Sequence, residues 1–272
     1  MITRVPAVRP LLRWAGSKRK LLPKLVHYWG SDFSRYIEPF VGSGALFYAL
    51  APPAALLSDL NGELIEALTT TRNRADAVYD ELERLPRGQA SYYSLRANNV
   101  ASLSAIERAA RFIFLNRYCF NGLYRTDRMG RFNVPYGATK TGNIPDRATF
   151  LRSAAMLKRA TLLNKDFEWV VDHHVEEGDF VYLDPPYAVD NRRIFKQYGP
   201  QTFGIDDLQR VKRCLQTIEA RGARFVLSYA YCTEALRMFR NWPHRKVYCQ
   251  RNISGFVKHR RRAAELIVTN CD

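Results

Sequence analysis

The feature that most constrains the fold is a short apolar run that two prolines bring to an abrupt end. Residues 180–183 have the composition of a buried strand, and Asp184-Pro185-Pro186-Tyr187 follow at once. Prolines fix φ and remove backbone donors, and a residue before proline is pushed out of the helical region. The chain therefore leaves the strand stiff, with acceptors on Asp184 and Pro185 beside the flat ring of Tyr187. Such a group can hold an aromatic ring with an exocyclic amine, as in adenine, and a proline-rich surface turn is the alternative.

Strand-like and helix-like segments alternate along most of the chain. Strands are predicted at residues 35–38, 55–59, 161–163, 180–184, 225–228, 244–249 and 265–269, and helices lie between most of them. Residues 72–136 differ, because apolar residues recur there at helical spacing and a hairpin-like stretch at 118–135 surrounds the turn 127–130. The pattern predicts an α/β fold, an open sheet interrupted by a mostly helical insert. In such sheets ligands bind at the carboxyl ends of the strands.

A glycine-containing turn follows the first predicted strand, and an acidic residue ends the second. Gly42 and Gly44 let the backbone approach a ligand closely, and Asp59 could accept hydrogen bonds from both hydroxyls of a ribose. The third glycine of the dinucleotide fingerprint is missing, which favours a nucleoside-bearing cofactor without the phosphates. Asp166 and Phe167 end a third strand, where they could hold the cofactor's adenine. Alternatively, Asp59 and Asp166 could each simply cap a helix.

The net charge indicates a polyanionic partner. The chain has 42 Lys and Arg against 26 Asp and Glu, a formal net charge of +16, and its basic residues cluster at 13–24, 108–131 and 245–262. Aromatic residues interleave with the middle cluster, which suits contacts with phosphates and bases and favours nucleic acid over an anionic membrane. No apolar run is long enough to span a membrane, and the first 13 residues lack the apolar core of a signal peptide. The five cysteines include no Cys-x-x-Cys pair, so we expect no metal site, no disulfide framework and a reducing cytosol.

Six blocks of sequence together resemble the Dam-type DNA adenine-N6 methyltransferases, the D12 class with alpha-type motif order. The blocks are Leu12-Arg13-Trp14-Ala15-Gly16-Ser17-Lys18, Pro39-Phe40-Val41-Gly42-Ser43-Gly44, Asp59, Asn116-Arg117-Tyr118-Cys119-Phe120-Asn121-Gly122-Leu123-Tyr124-Arg125, Phe132-Asn133-Val134-Pro135 and Asp184-Pro185-Pro186-Tyr187. They extend over nearly the whole chain in the family's order. The resemblance implies a Rossmann-like S-adenosylmethionine-dependent methyltransferase sheet. Residues 1–71 and 137–272 would form the catalytic domain, and 72–136 an inserted, mostly helical target-recognition domain with a β-hairpin.

The resemblance also implies roles for individual residues. Those matching the cofactor site are Trp14, Lys18, Phe40, Gly42, Gly44, Asp59, Asp166, Phe167 and Asp184. The catalytic motif is Asp184, Pro185, Pro186 and Tyr187. The residues matching DNA contacts are Phe120, Asn121, Leu123, Arg125 and Pro135, with Phe120 as a wedge into the duplex and Asn121 at the displaced position. The implied reaction is methyl transfer from S-adenosylmethionine to N6 of an adenine flipped out of double-stranded DNA.

The target sequence and the biological setting are less constrained. GATC or a related short site is the implied target, although Ala138-Thr139 stand where relatives that read GATC often carry an aromatic residue. We expect a monomer on DNA in a prokaryotic cytosol or nucleoid, and a phage or other mobile element could encode it. The alternatives are a catalytically inactive DNA-binding module, or a methyltransferase acting on RNA or on N4 of cytosine. The acid at Asp184 favours adenine, because N4-cytosine enzymes typically carry serine there.

Overall fold

The structure is a computed structural model that describes residues 8–187, 203–250 and 262–271. Within these ranges the strands are β1 (Arg35–Glu38), β2 (Ala55–Ser58), β3 (Ala160–Leu163), β4 (Asp179–Leu183), β5 (Arg224–Ala230), β6 (His244–Gln250) and β7 (Arg262–Thr269). The α-helices are α1 (Leu22–Leu25), α2 (Ala45–Leu50), α3 (Gly62–Asn73), α4 (Ala75–Arg84), α5 (Gln89–Ala97), α6 (Ala105–Tyr118), α7 (Arg147–Leu157), α8 (Phe167–His174), α9 (Ile205–Ala220) and α10 (Thr233–Met238).

The described strands form one sheet in the order β3-β2-β1-β4-β5-β7-β6. Strands β1 to β5 are parallel, and β7 lies antiparallel between β5 and β6. Parallel strands are covered on both faces, which explains why every residue of β2 and β4 is buried and most of them are apolar. The strand order reverses between β1 and β4, and a ligand crevice forms at the carboxyl ends of the strands at such a reversal. The predicted α/β fold class is confirmed.

Alternate side chains of the strands belong to two buried clusters. Tyr36 and Tyr182 join the cluster that includes Tyr92 and other residues of the helical insert. Leu183 joins the cluster that contains the apolar residues of α8 and α9. The sheet is therefore covered by the insert and its neighbouring helices on one face and by α8 and α9 on the other.

Helices α4, α5 and α6 lie between β2 and β3 in the chain and account for the predicted helical insert. Helix α6 begins with a capping box, in which the side chains of Ser104 and Glu107 bond to each other's backbone N–H groups. It packs against α3 and α4, so the insert is continuous with the core of the sheet. The predicted domain limit at residue 72 lies within α3, and the division into catalytic and target-recognition domains stays a prediction.

The hairpin predicted at residues 118–135 consists of antiparallel bridges rather than continuous strands. Cys119 pairs with Tyr136 and Thr126 pairs with Phe132. The turn is closed by Gly130, whose φ of 77° is in the left-handed region, as the sequence predicts. A 3₁₀ turn at Phe120–Gly122 follows the first bridge and interrupts the ladder. The chain therefore reverses direction as in a hairpin, but it does not form a regular two-stranded ribbon.

Candidate active site

Asp184 is the first residue after β4, at the edge where the strand order reverses. The strand ends at Leu183 because Pro185 has no N–H group to continue the ladder. Leu183 of β4 pairs with Leu227 of β5, so the next residues, Asp184 and Ser228, are neighbours. The Oδ1 atom of Asp184 accepts a hydrogen bond from the Ser228 hydroxyl at 3.0 Å. The sheet itself thus fixes the carboxylate, whose side chain remains 20% exposed.

The side chain of Lys18 reaches the same point from the N-terminal segment. Its Nζ lies 2.7 Å from Asp184 Oδ1 and donates a hydrogen bond to the Tyr187 hydroxyl at 3.1 Å. It also lies 3.6 Å from Oε2 of Glu265 on β7. Because Lys18 is only 8% exposed, its charge depends on these partners rather than on water. The N-terminal segment, the Asp-Pro-Pro-Tyr motif and the last strand therefore meet at one ammonium group.

The charges of this cluster shift each other's protonation. Burial alone would lower the pKa of Lys18, but Asp184, Tyr187 and Glu265 raise it well above its ordinary value. Burial raises the pKa of Asp184, and the ammonium group of Lys18 opposes that rise. Lys18 is therefore a cation at neutral pH, and its charge compensates the buried carboxylate.

The loop after β1 approaches the end of β2. The N–H of Gly42 donates to Oδ2 of Asp59 at 3.0 Å, and the N–H of Asn61 donates to Oδ1 at 3.0 Å. A Cβ at Gly42, where φ is 45°, would lie 2.8 Å from Cδ1 of Trp14, so this close approach requires glycine. Gly44, with φ of 63°, directly precedes α2. Helix α3 is capped by Asn61, so the alternative interpretation of Asp59 as its cap is wrong.

Asp166 and Phe167 are already engaged in internal contacts. Asp166 caps α8 by accepting from the N–H of Glu168 at 2.9 Å, and it forms an ion pair with Arg210. The capping alternative is therefore present, although it does not exclude a further donor. Phe167 is buried and packs against Phe40, with ring centroids 4.9 Å apart. Phe40 is only partly buried, so its ring has more open surface for a ligand than that of Phe167.

The insert holds the N-terminal segment that carries Trp14 and Lys18. The side chain of Asn116 accepts from the N–H of Arg13 at 2.8 Å and donates to the carbonyl of Arg13 at 2.7 Å. The N–H of Ala15 donates to the Gly122 carbonyl at 3.1 Å, and Trp14 stacks on Tyr124 of the insert. A displacement of the insert would therefore also displace the segment that carries Trp14 and Lys18.

The five residues predicted to contact DNA lie together in the loop that the bridges close. They are Phe120, Asn121, Leu123, Arg125 and Pro135, all partly or fully exposed. Asn121 has a left-handed φ of 56°, and the N–H of Phe120 donates to the Pro135 carbonyl at 3.0 Å. Nε of Arg125 donates to Oδ1 of Asn133 at 2.7 Å, which orients the guanidinium group. Their proposed contacts with DNA stay a prediction.

The comparisons with known proteins agree with this geometry. The family model of the D12 class N6 adenine-specific DNA methyltransferases matches residues 14–253. The chain belongs to this family. The Type II methyltransferase M1.LlaDCHI of Lactococcus lactis subsp. cremoris is 31% identical over 97% of this chain and 95% of its own length. The Type II methyltransferase M.MjaIII of Methanocaldococcus jannaschii is 33% identical over 91% of this chain and 93% of its own length.

Among solved structures, the rRNA methyltransferase aviRa from Streptomyces viridochromogenes has a TM-score of 0.40 and 13% identity, over 92% of this chain and 82% of that chain.

The family assignment confirms that the chain is an adenine-specific DNA methyltransferase. Within the described ranges no helix could cross a membrane, and no group of three or more His, Cys, Asp or Glu residues could hold a metal ion. Most of the basic tract at 245–262, namely residues 251–261, lies outside the described part of the chain.

Two residues of the candidate site, Ser228 and Glu265, are not identified by the sequence analysis. Ser228 lies inside an apolar strand and gives no local sign of its bond to Asp184. Glu265 is an acid within the apolar run 263–268, and an acid in such a run indicates a buried, partnered carboxylate. Neither partner could be named before the pairing of β5 with β4 and β7 was known.

Proposed function

We propose that the methyltransferase transfers a methyl group from S-adenosylmethionine to N6 of an adenine flipped out of duplex DNA. The position of Asp184 carries this proposal. It lies at the carboxyl end of a central strand, and its described hydrogen bonds and ion pair all go to Oδ1. Oδ2 and the Pro185 carbonyl would accept the two hydrogens of the adenine amine. These bonds would concentrate the conjugated nitrogen lone pair toward the incoming methyl group.

Tyr187 would form the stacking surface for the flipped base. Its ring is held edge-on against Tyr229, with centroids 5.1 Å apart, and its hydroxyl accepts from Lys18. Flipping costs a few kcal/mol, and stacking on an aromatic side chain returns about 1–3 kcal/mol. A ring that is fixed before the base arrives loses little entropy on binding, which supports this role.

The residues around the loop after β1, which contains Gly42 and Gly44, fit an adenosyl group. Oδ2 of Asp59 accepts from the N–H of Gly42 and Oδ1 from that of Asn61, and a carboxylate oxygen can accept a further donor, such as a ribose hydroxyl. Phe40 and Phe167 provide an aromatic wall, with Asp166 at its edge. Trp14, Lys18, Gly42 and Gly44 would complete the cofactor site. S-adenosylmethionine would supply an electrophilic methyl group on a cationic sulfur, which suits the acidic surroundings.

The loop from Cys119 to Tyr136 would select the target base pairs. We propose that Phe120 enters the duplex, that Asn121 contacts the displaced position, and that Leu123, Arg125 and Pro135 contact bases. An arginine whose guanidinium group is held in place suits bidentate contact with guanine. GATC or a related short site remains the proposed target, bound by a monomer. Relatives named Type II methyltransferase and DNA adenine methylase support DNA as the substrate and a prokaryotic cytosol or nucleoid as the location.

The test compares Asp184→Ala with Asp172→Ala, a matched change at an exposed residue of α8. Tritiated-methyl transfer to unmethylated plasmid DNA should be lost in Asp184→Ala and retained in Asp172→Ala, while both bind DNA in a gel-shift assay. Substantial turnover by Asp184→Ala would contradict the proposed role. Methylation-sensitive long-read sequencing of DNA from cells with and without the gene would identify the target site.

A further inference from the structure

The ammonium group of Lys18 lies between two carboxylates of different strands. Asp184 Oδ1 is 2.7 Å from Nζ, and Glu265 Oε2 is 3.6 Å from it. Glu265 is 3% exposed and lies on β7, where it pairs with Ala230 of β5 and Val247 of β6. It is therefore fixed in the middle of the antiparallel half of the sheet, away from the Asp-Pro-Pro-Tyr motif in sequence.

The proposed function gives the two oxygens of Asp184 separate tasks. Oδ2 would accept the adenine amine while Oδ1 holds Lys18 and Ser228. An ammonium group at 8% exposure that lost its carboxylate partner would be a buried, uncompensated charge, which is strongly unfavourable. A second carboxylate within reach of Nζ keeps the ammonium group compensated while Asp184 shares its charge with the amine. Glu265 is such a group, because it is just beyond hydrogen-bonding distance and a shift of roughly 0.7 Å would bring it to a normal bond length.

We infer that Glu265 is a positioning residue that holds Lys18 against Oδ1 of Asp184, so that Oδ2 stays directed at the adenine amine. The inference rests on the proposed function. The amine is neutral and binds at Oδ2, so the net charge of the buried cluster does not change and the ammonium keeps both carboxylates. Lys18 stays protonated and keeps its hydrogen bond to the Tyr187 hydroxyl, so the stacking ring stays in place. Asp184 can therefore accept the amine without losing Lys18.

The groups facing Lys18 define the pH dependence that follows. They are Asp184, Tyr187, Tyr182 and Glu265, and together they hold the pKa of Lys18 well above its ordinary value against the effect of burial. When Asp184 shares its charge with the substrate amine, the charge of Glu265 helps to retain the proton on Lys18. Removal of its charge should therefore let Lys18 deprotonate at lower pH in the substrate complex.

The experiment compares Glu265→Gln with the control Glu177→Gln, an exposed change before β4 at the other edge of the sheet. Turnover is measured from pH 6 to 10 by tritiated-methyl transfer to unmethylated plasmid DNA. For Glu265→Gln we expect kcat to fall by roughly 10-fold to 100-fold, the effect of one charged hydrogen bond, and the alkaline limb to move to lower pH. Glu177→Gln should match the wild type in both. Wild-type kcat and an unmoved limb in Glu265→Gln would overturn the inference.

A double-mutant cycle separates positioning from a structural role. In a Lys18→Met background, Glu265→Gln should cause no further loss of kcat, because Glu265 acts through Lys18. A further loss of the same size would show that it acts independently. If Glu265→Gln does not fold in urea titrations, Glu265→Asp keeps the charge and should preserve the wild-type alkaline limb despite a lower kcat. An alkaline limb displaced in Glu265→Asp would count against the inference, and an inactive wild type would instead refute the proposed function.

Discussion

The replacement of Ser228 by alanine tests how the sheet supports Asp184. The Ser228 hydroxyl donates to Asp184 Oδ1 at 3.0 Å and lies 2.9 Å from the Tyr182 hydroxyl, and both side chains are buried. In Ser228→Ala the Tyr182 hydroxyl would lose its hydrogen bond in a site closed to water. An unsatisfied buried hydroxyl costs about 1–3 kcal/mol. The free energy of unfolding, measured by urea titration, should fall by this amount.

The same substitution should lower activity, because Asp184 would lose one of the two donors that orient Oδ1. Loss of about 1 kcal/mol of orienting energy corresponds to roughly a fivefold decrease in kcat. The control is the double variant Ser228→Ala/Tyr182→Phe, in which both hydroxyl groups of this hydrogen bond are removed together. We expect the double variant to regain most of the stability and none of the activity. Unchanged stability in Ser228→Ala, or no recovery on adding Tyr182→Phe, would refute the reasoning.

Three further predictions concern the turn that contains Gly42, the N-terminal segment and the loop from Cys119 to Tyr136. Gly42→Ala should lower the free energy of unfolding by about 1–2 kcal/mol, because residue 42 has a left-handed φ. The new Cβ would also press on Trp14, so calorimetry should show weaker binding of S-adenosylmethionine. Asn116→Ala should release the backbone of Arg13; urea titration should show a loss of about 1–3 kcal/mol, and the KM for S-adenosylmethionine should rise. Arg125→Ala should relax the choice of one base pair by about 1–3 kcal/mol. Methylation of single-base variants of the target would check this, and an equal loss on every DNA would indicate a phosphate contact.

Much of the fold could be predicted from local sequence. The strands β2 and β4 are apolar runs bounded by acids or prolines, and their predicted limits differ from the observed ones by one residue at most. The residues that end them, Asp59 and Asp184, lie at the same edge of the sheet, as the rule for parallel strands predicts. These features depend on short-range patterns and on a general property of α/β sheets. They could therefore be read before any long-range contact was known.

The partners of Asp184 could not be predicted in the same way. Lys18 resembles a cofactor-binding lysine in sequence, whereas in the structure it forms an ion pair with Asp184, 166 positions away. Glu265 reaches Lys18 only because β7 turns back antiparallel beside β5. Such contacts arise from the order of strands in the sheet, which a single sequence does not encode locally. Long-range polar contacts are therefore the part of this site that needed the structure.

Some arginines of the basic clusters bind backbone carbonyls inside the protein, although their clustering in the sequence suggests contacts with phosphates. In the middle basic cluster, Arg111 is buried and donates to the carbonyls of Leu95 and Arg96. Arg117 in the same way donates to the carbonyls of Leu11 and Pro10. A planar guanidinium group can bind two carbonyls at once, which a lysine ammonium group does with less geometric precision.

These arginines fasten the insert and the N-terminal segment from inside, so they cannot at the same time neutralise phosphates. Others in the cluster are paired with acids, as Arg108 is with Glu66 and Arg131 with Asp127. Exposed pairs of this kind are weak and can exchange for phosphate, whereas the buried carbonyl contacts of Arg111 cannot be released without opening the fold. The formal charge of +16 therefore indicates the class of partner, while the DNA-facing surface must be sought among the exposed basic residues and not among the buried ones.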